Sequence, residues 1–357
     1  FRIAERMEFL MKAYIGIDVS CAKKKRCPIT ICVKDNGKLI PLLLAQNKNQ
    51  PPLGFGNAAT LIEANNIAYA AAIKIYIIGV CKEHNLTPVR IAIDAPLIPK
   101  QNDIKRRIAE RELDSRKISC YTTPSQSEFE SIINRGKAHL NKGGEVSRLP
   151  HSMQIFMLAG FAIYQALNEV AECIEVFPHA TAKILGAAEQ HKTKENQAYV
   201  QLHAMSKYTG WPSSEDEWSK VKDICSGDLH DKADAYGAAW LASLNVEQRL
   251  VLGDPSLNDA IILPHLEKLN TFDNVPLQID SVTKSKTLNG EPTREPTKAT
   301  KSTSNGMGVL GKICPACGLH KFKRWPWGWD AHAAHKCAGL TGKDPESRKQ
   351  EFKVKFL

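Results

Sequence analysis

The hydrophobic pattern of residues 11–270 predicts strands that alternate with helices. Short apolar runs that end in polar turns are typical of buried strands, and they occur at residues 13–20, 88–99 and 171–180. Residues 26–46 hold two β-branched runs around Asp35-Asn36-Gly37-Lys38, which predicts a β-hairpin. Helical patterns occupy residues 57–84, about 102–171 and 229–244. The order of strand, hairpin, helix, strand, helices, strand and helices predicts an α/β layer with a mixed sheet.

Composition divides the chain into a main domain, a linker and a small C-terminal module. We expect the main domain at residues 11–270, with a helical insertion at about 102–171. Residues 280–308 are rich in Ser, Thr, Lys, Pro and Gly, and they predict a flexible linker because they cannot bury enough apolar surface to offset their ordering entropy. Cysteines, histidines and aromatic residues return at 309–340, and residues 341–357 form a basic tail.

Hydropathy and charge narrow the class of protein. No run reaches the ~18 uninterrupted apolar residues of a membrane span, and the N-terminal segment has acidic residues where a secretion signal is basic. We therefore expect a cytoplasmic protein without a membrane partner. The net charge is +10, and residues 271–357 hold 15 Lys and Arg against 8 Asp and Glu. This local excess, with aromatics among it, favours a nucleic-acid partner over a merely solvated tail.

Carboxylates occur where three predicted apolar elements begin or end. Asp18 follows Ile15-Gly16-Ile17, and Asp94 follows Ile91-Ala92-Ile93, so both end predicted strands. Asp231 and Asp234 are three positions apart on a predicted helix and project from one face. Each acid alone is better explained as a surface or strand-ending carboxylate. Together they predict a two-metal site for Mg²⁺ or Mn²⁺, because clustered carboxylates need a hard cation.

Further residues are weaker candidates for the same site. Glu175 lies in the strand predicted at 171–180, although strand alternation leaves its direction open. His179 and His230 are candidates for a general acid or base. The run Lys23-Lys24-Lys25-Arg26 is either a phosphate contact or a solvated turn. The basic residues at 105–117 are interpreted as a solvated helical face, balanced by Glu110, Glu112 and Asp114.

Five short motifs carry a resemblance to a known family. They are GIDVS (16–20), AIDAPL (92–97), RIAERELD (107–114), EVFPHA (175–180) and DKADAYGAAW (231–240). Over about residues 13–245 the chain resembles the domain-of-unknown-function 429 family, which implies a ribonuclease H-like fold and nuclease activity. The run Asp231-x-x-Asp234-Ala is also similar to the last acidic motif of RuvC-type resolvases. The resemblance implies that Asp18, Asp94 and Asp234 are catalytic acids, with Asp231 as a fourth.

A different use of a similar topology, phosphotransfer from ATP, is disfavoured by the sequence. The turn at residues 18–23 lacks the glycines that let backbone N–H groups approach a nucleotide. The chain also contains no GxxxxGK[ST] run.

The C-terminal cysteines and histidines have the spacing of a zinc site. The pattern C-x2-C-x14-H-x4-C is close to that of a ββα zinc finger, and it is formed by Cys314, Cys317, His332 and Cys337. Thiolate and imidazole ligands favour a structural Zn²⁺. His335 is the alternative fourth ligand, but its spacing of two residues from His332 is tight. We expect nucleic-acid contacts from Lys321, Lys323, Arg324, Trp325 and Trp327, or a protein partner on the same aromatics.

These patterns lead to one preferred function and one alternative. We expect a divalent-metal-dependent nuclease that acts on DNA or RNA and is tethered by the zinc-finger-like module. The alternative is a non-catalytic nucleic-acid-binding or adaptor protein, in which the acids are structural remnants. Catalysis requires Asp18, Asp94 and Asp234 to face one pocket, whereas an adaptor has no such requirement.

Overall fold

The computed structural model describes residues 10–188, 196–272, 309–310, 324–325, 341 and 344–356. The chain divides into two compact units, Phe1–Thr287 and Leu288–Leu357. The predicted linker at 280–308 lies outside the described residues, and so does most of the predicted zinc-finger-like module.

The first unit contains seven strands and nine α-helices among its described residues. The strands are β1 (Met11–Ile17), β2 (Ile29–Asp35), β3 (Lys38–Pro41), β4 (Leu86–Ile93), β5 (Glu172–Glu175), β6 (Arg249–Asp254) and β7 (Asp259–Pro264). The helices are α1 (Asn57–Thr60), α2 (Glu63–Glu83), α3 (Ile108–Ser115), α4 (Gln126–Asn141), α5 (Ser152–Leu167), α6 (Pro178–Ile184), α7 (Gln197–Thr209), α8 (Glu215–Lys220) and α9 (Leu229–Ser243). Single 3-10 turns lie at Val146–Arg148, Val221–Asp223, Val246–Gln248, Pro255–Leu257 and Leu266–Lys268.

The second unit is described over three short elements. They are β8 (Val309–Leu310), β9 (Arg324–Trp325) and α10 (Pro345–Phe356). Strands β8 and β9 pair antiparallel, with Val309 opposite Trp325. Helix α10 occupies most of the segment expected to be a basic tail.

Strands β1 to β5 form one mixed sheet, which confirms the predicted α/β layer with a mixed sheet. The strand order is β3-β2-β1-β4-β5. Strand β2 is antiparallel to both β1 and β3, and β4 is parallel to both β1 and β5. The hairpin between β2 and β3 turns at Asn36 and Gly37, whose φ angles are 47° and 82°. Positive φ at both positions matches the twist of the strands, and Asn and Gly tolerate it best.

Helices cover both faces of the sheet, and strand alternation explains how. Ile91 and Ile93 of β4 belong to the core shared with α2 and α5, whereas Ala92 belongs to the core shared with α7 and α9. Helix α9 lies very close to β1, because a Cβ on Gly16 would be 2.0 Å from the carbonyl oxygen of Ala235. The small residues of α9 allow this close approach to the sheet. Gly237, however, faces Met205 of α7.

A second sheet, the β6–β7 hairpin, was not predicted from the sequence. Its two strands pair antiparallel over their whole length. Leu252, Ile261 and Leu263 pack in one apolar cluster with Ala109 and Leu113 of α3. The hairpin therefore anchors the start of the helical insertion.

In the part of the chain that the structure describes, α2 alone has the length and apolar composition of a membrane-spanning helix. One side of α2 is nevertheless a core surface, where Tyr69, Ile73, Ile77 and Val80 are buried. Asn66 is also buried there, and its side-chain amide donates to the carbonyl oxygen of Thr60 at 3.0 Å. We interpret α2 as a core helix of the first unit.

Candidate acid-lined cleft

Asp18 and Asp94 start from adjacent positions at the same edge of the sheet. Ile17 of β1 is paired with Ile93 of β4 in the parallel ladder, and each aspartate is the next residue. The amide of Asp94 donates to the carbonyl oxygen of Ile17 at 2.9 Å. Because the carboxyl ends of parallel strands meet at one edge, the two predicted catalytic acids are neighbours across the ladder, and both are half-buried.

Asp234 reaches this edge from α9. It is 4 % exposed, and Gln201 of α7 donates from Nε2 to its Oδ1 at 2.9 Å. Asp234 immediately precedes Ala235, whose backbone contacts Gly16 of β1. The same close helix–strand approach therefore sets the depth of Asp234 beside the sheet.

The far end of α9 is held by three cationic side chains. Lys34 Nζ donates to the carbonyl oxygen of Ser243 at 2.7 Å, and Arg90 Nη1 donates to that of Ala242 at 2.7 Å. Arg249 Nη2 donates to the carbonyl oxygen of Leu244 at 2.9 Å. Cations at a helix C-terminus complement its dipole and its unpaired carbonyls. They fix the helix that carries Asp234.

Asp18, Asp94 and Asp234 all line one cleft of about 690 Å³. Glu110, Glu175 and Arg107 line it as well. Its walls also include apolar side chains and one histidine, namely Tyr121, Met153, Phe156, Phe177 and His179. The structure therefore brings together the acids that the sequence placed on separate elements. Five carboxylates against one guanidinium give this cleft a net negative charge.

The described residues contain one group of three or more candidate ligands whose atoms lie within 4.8 Å of one another, and it is formed by Asp228, His230 and Asp231. Among the described residues, no three of the cleft acids are gathered this closely. Such spacing is what a single shared ion requires, whereas the ligands of two ions roughly 4 Å apart can lie farther from one another.

Asp231 lies outside the cleft lining, although it is one turn from Asp234. Its carboxylate accepts a hydrogen bond from the amide of Asp228 at 2.9 Å and lies 3.1 Å from His230 Nε2. Asp228 in turn pairs with Lys25 at 2.8 Å. Asp231 thus closes a capping box at the start of α9, which accounts for its position without a catalytic role.

Glu175 lines the cleft with both carboxylate oxygens already bound. Arg107 donates to them from Nη1 and Nη2, both at 2.7 Å, and the amide of Leu97 donates to Oε2 at 2.9 Å. Burial raises the pKa of Glu175, and the Arg107 guanidinium opposes that rise. This geometry suits a residue that positions the site, because a metal ligand needs accessible oxygens.

Arg107 and Glu110 correct the interpretation of residues 105–117 as a solvated helical face. Each is 2 % exposed. Arg107 Nε pairs with Asp259 at 3.1 Å, and Glu110 accepts from the amide of Thr123 at 2.7 Å. Burial disfavours the charge of Arg107, but Glu175, Asp259 and Glu110 outweigh this and raise its pKa. The sequence signal for this network was the place of Arg107 and Glu110 within one family-like motif.

The seven cysteines of the described residues do not favour thiolate chemistry. Burial raises the pKa of every one of them. Cys120 is the one that lines the cleft. Its pKa is raised to about 11, although Arg106 Nη2 lies 3.0 Å from its sulfur. A thiol with such a pKa is a weak nucleophile at neutral pH.

The basic turn after β1 and the two histidines fall in different surroundings. Lys23, Lys24 and Lys25 are exposed, whereas Arg26 donates from Nη1 to the carbonyl oxygen of Pro51 at 2.7 Å. His179 is exposed and lines the cleft, and His230 contacts Asp231 outside it. A proton-transfer role is therefore compatible with the position of His179.

The residues expected to bind zinc and nucleic acid lie outside the described part of the chain, except for the backbone of Arg324 and Trp325 in β9. They stay predictions, and they are Cys314, Cys317, His332 and Cys337 for zinc, with Lys321, Lys323, Arg324, Trp325 and Trp327 for nucleic acid.

Comparison with known proteins gives one match. The model of the family described as "Protein of unknown function (DUF429)" matches residues 57–256. No curated protein and no solved structure matches the chain. Because the matched segment contains α2, β4, Asp94, Glu175 and Asp234 and spans more than half of the chain, this protein belongs to the DUF429 family of unknown function.

Proposed function

We propose that this protein is a divalent-metal-dependent nuclease of ribonuclease H-like fold that hydrolyses phosphodiester bonds of DNA or RNA. The observation that carries the proposal is that Asp18, Asp94 and Asp234 line one cleft although they come from three separate elements. The strand order β3-β2-β1-β4-β5, with β2 antiparallel, supports the ribonuclease H-like assignment.

The chemistry of the cleft favours hard cations. Carboxylate oxygens are the ligands that Mg²⁺ and Mn²⁺ prefer, and Asp18, Asp94 and Asp234 would hold them. When bound, such ions activate a water and stabilise the leaving oxygen. Gln201 holds one oxygen of Asp234 by a hydrogen bond, and such partners of a metal ligand fix its orientation.

The same cleft offers surfaces that suit a nucleotide substrate. Tyr121 is 57 % exposed and Met153 is 53 % exposed, so a base can stack on them. The carboxylates repel phosphate groups unless cations are present, which makes substrate binding depend on the metal. His179 lines the cleft and would transfer a proton there.

A non-catalytic nucleic-acid-binding protein is the second candidate. It is favoured by one observation, namely that no three of the cleft acids among the described residues have carboxylate oxygens within 4.8 Å of one another. The zinc-finger-like module would then carry the binding, and the acids would serve only the fold. A single set of variants separates the two candidates.

The test compares the full-length protein with Asp94→Asn on labelled single- and double-stranded DNA and RNA, with Mg²⁺ or Mn²⁺. We expect cleavage by the full-length protein and at least a 100-fold loss in the variant, because Asn keeps the volume of Asp but not its charge. Asp103→Asn is the matched control, since Asp103 is exposed and outside the cleft lining. Circular dichroism checks that all three proteins are folded.

Two outcomes oppose the nuclease proposal. Cleavage that is equal in Asp94→Asn and the full-length protein removes Asp94 from the chemistry and points to a contaminating nuclease. Tight binding of a labelled strand without cleavage under any metal condition supports the second candidate.

A further inference from the structure

Helix α2 is apolar on the side that faces solvent as well as on its core side. Six of its solvent-facing residues follow one another at intervals of alternately four and three positions along the chain. They are Ala64, Ala68, Ala71, Ile75, Ile78 and Lys82. Spacing of this kind is the pattern of a coiled-coil seam, where two helices pack side by side. We refer to these six residues as the α2 seam.

The exposure of the α2 seam is unusual for the surface of a folded unit. Ile75 is 72 % exposed and Ile78 is 44 % exposed, and Ile67 at the edge of the seam is 55 % exposed. Between Glu63 and Lys82 the helix has a single charged residue, Lys74, which is paired with Glu169. A surface helix normally presents charged and polar residues on its outer side. An apolar outer side indicates an interaction surface.

Two copies of the α2 seam that run in opposite directions have side chains of complementary size. Its N-terminal half carries alanines, and its C-terminal half carries isoleucines. A two-fold axis level with Ile73 places Ala71 opposite the partner's Ile75 and Ala68 opposite the partner's Ile78. On the flank it places Ile67 opposite the partner's Gly79, where an added Cβ would meet no atom within 4 Å. Large side chains therefore meet small ones along the whole seam.

We propose that two copies of this chain associate through antiparallel pairing of their α2 seams, giving a symmetric dimer. The charges at the ends favour this direction, because Lys82 falls beside the partner's Glu63 at each end. A parallel pairing would put Lys82 against the partner's Lys82 and alanine against alanine. Self-complementary surfaces of this kind form two-fold symmetric dimers. The proposal does not depend on any activity of the acid-lined cleft.

The apolar surface available limits the size of the expected interface. Ile62 and Ile98 are 50 % and 39 % exposed, and Ile98 lines a cavity of about 520 Å³ together with Ile67. They extend the apolar surface at the N-terminal end of α2. Two such surfaces bury on the order of 1,000 Å² in total, which is near the lower limit for a specific interface. We therefore expect micromolar association.

Sedimentation equilibrium of the full-length protein without nucleic acid, from about 1 to 200 μM, tests the dimer directly. We expect a monomer–dimer equilibrium, and Ile75→Lys should weaken it at least tenfold, because it buries an unpaired ammonium in the seam. Val246→Lys is the matched control, since Val246 is 76 % exposed and outside α2. Thermal melting checks that both variants are folded.

A charge swap tests the direction of pairing. Ala71→Glu and Ile75→Lys should each be monomeric at concentrations where the natural chain dimerises. Mixed in equal amounts, they should form a heterodimer, because residue 71 of one copy faces residue 75 of the other. A natural chain that stays monomeric up to 200 μM overturns the proposal, as does an Ile75→Lys variant that dimerises normally. Recovery of no dimer in the mixture overturns the antiparallel register.

Discussion

The guanidinium of Arg107 and the carboxylate of Glu175 form a buried bidentate pair, with both N–O distances at 2.7 Å. The pair joins Arg107, which caps the start of α3 in the helical insertion, to the last residue of β5. Glu175 is also the ladder partner of Ile93, which directly precedes Asp94. One buried ion pair therefore links the insertion to the strand end that carries a candidate catalytic acid.

Loss of Arg107 should destabilise the protein strongly. In Arg107→Met, Glu175 and Asp259 would be left buried without their cation, and such a change costs about 3–5 kcal/mol. Urea unfolding of the natural chain and of Arg107→Met measures the difference in their free energies of unfolding. Arg111→Met is the matched control, because Arg111 is exposed on α3, which begins directly after Arg107, and surface changes of this kind stay within about 0.5 kcal/mol. Equal free energies of unfolding for the two variants would contradict this role of Arg107.

The burial of Arg107 is a feature that could not be predicted from the sequence. The strands β1 to β5 and the Asn36-Gly37 turn were predictable, because apolar runs and turn residues act locally. Asp18 and Asp94 followed from them, since a strand end is a local feature. The burial of Arg107 depends instead on Glu175 and Asp259, which are 68 and 152 residues away in the chain. A pairing over such distances leaves no local pattern, and the hairpin that carries Asp259 was itself missed.

The two acids of α9 show what spacing alone can predict. Their spacing predicts one face of a helix for both, whereas the small residues Ala235 and Ala238 beside Asp234 favour Asp234 as the deeper of the two. The choice is made by the approach of α9 to Gly16 of β1 and by the capping of the helix start. Both are tertiary features, and they bring Asp234 rather than Asp231 into the cleft.

Asp234→Asn should therefore reduce nuclease activity far more than Asp231→Asn. Asp234 lines the cleft and is held by Gln201, whereas Asp231 caps its own helix. For Asp231→Asn we expect near-normal kcat/KM and a loss of about 0.5–2 kcal/mol in stability from the weakened cap. Cleavage rates and thermal melting of both variants measure the two effects. A larger activity loss in Asp231→Asn would instead place the cation at the Asp228, His230 and Asp231 group.

Lys100 and Glu128 should make the stability of the first unit depend on pH. The Lys100 ammonium donates to Glu128 at 2.9 Å and holds the pKa of that carboxyl below its usual range. Because the pKa of Glu128 is lower in the folded state, the ion pair stabilises the fold at pH values above the pKa of the unfolded glutamate, which is about 4.3. That contribution is lost as the pH falls through the lower pKa of the folded state. It belongs to a helix, α4, that starts at the capping box of Ser125 and Glu128.

The measurement is the difference in free energy of unfolding between the natural chain and Glu128→Gln from pH 7 to pH 3. We expect the difference to be constant above about pH 5 and to shrink below it. Glu130→Gln is the matched control, since Glu130 is exposed on the same helix. A Glu128→Gln difference that does not change with pH would show that the ion pair adds nothing to stability.

Deletion of residues 309–357 should weaken nucleic-acid binding and leave the rate of the cleavage reaction nearly unchanged. This segment holds ten Lys and Arg against four Asp and Glu, so it carries more than half of the net charge of +10. Fewer phosphate contacts release fewer counterions, so both the affinity and its salt dependence should fall. The cleft lies wholly in the first compact unit, and turnover at saturating substrate should therefore stay close to that of the full chain.

Fluorescence anisotropy of a labelled strand between 50 and 300 mM KCl measures the binding. The double variant Cys314→Ser, Cys317→Ser distinguishes the effect of the module's charge from the effect of its zinc-dependent folding. It keeps every Lys and Arg but removes two expected ligands, so zinc-dependent folding of the module would be lost while its charge remains. We expect it to bind more weakly than the full chain and to keep more of the salt dependence than the deletion does. If the deletion binds as tightly as the full chain at every salt concentration, the module does not contact nucleic acid. Its three tryptophans, Trp325, Trp327 and Trp329, would then be better explained as contacts for a protein partner.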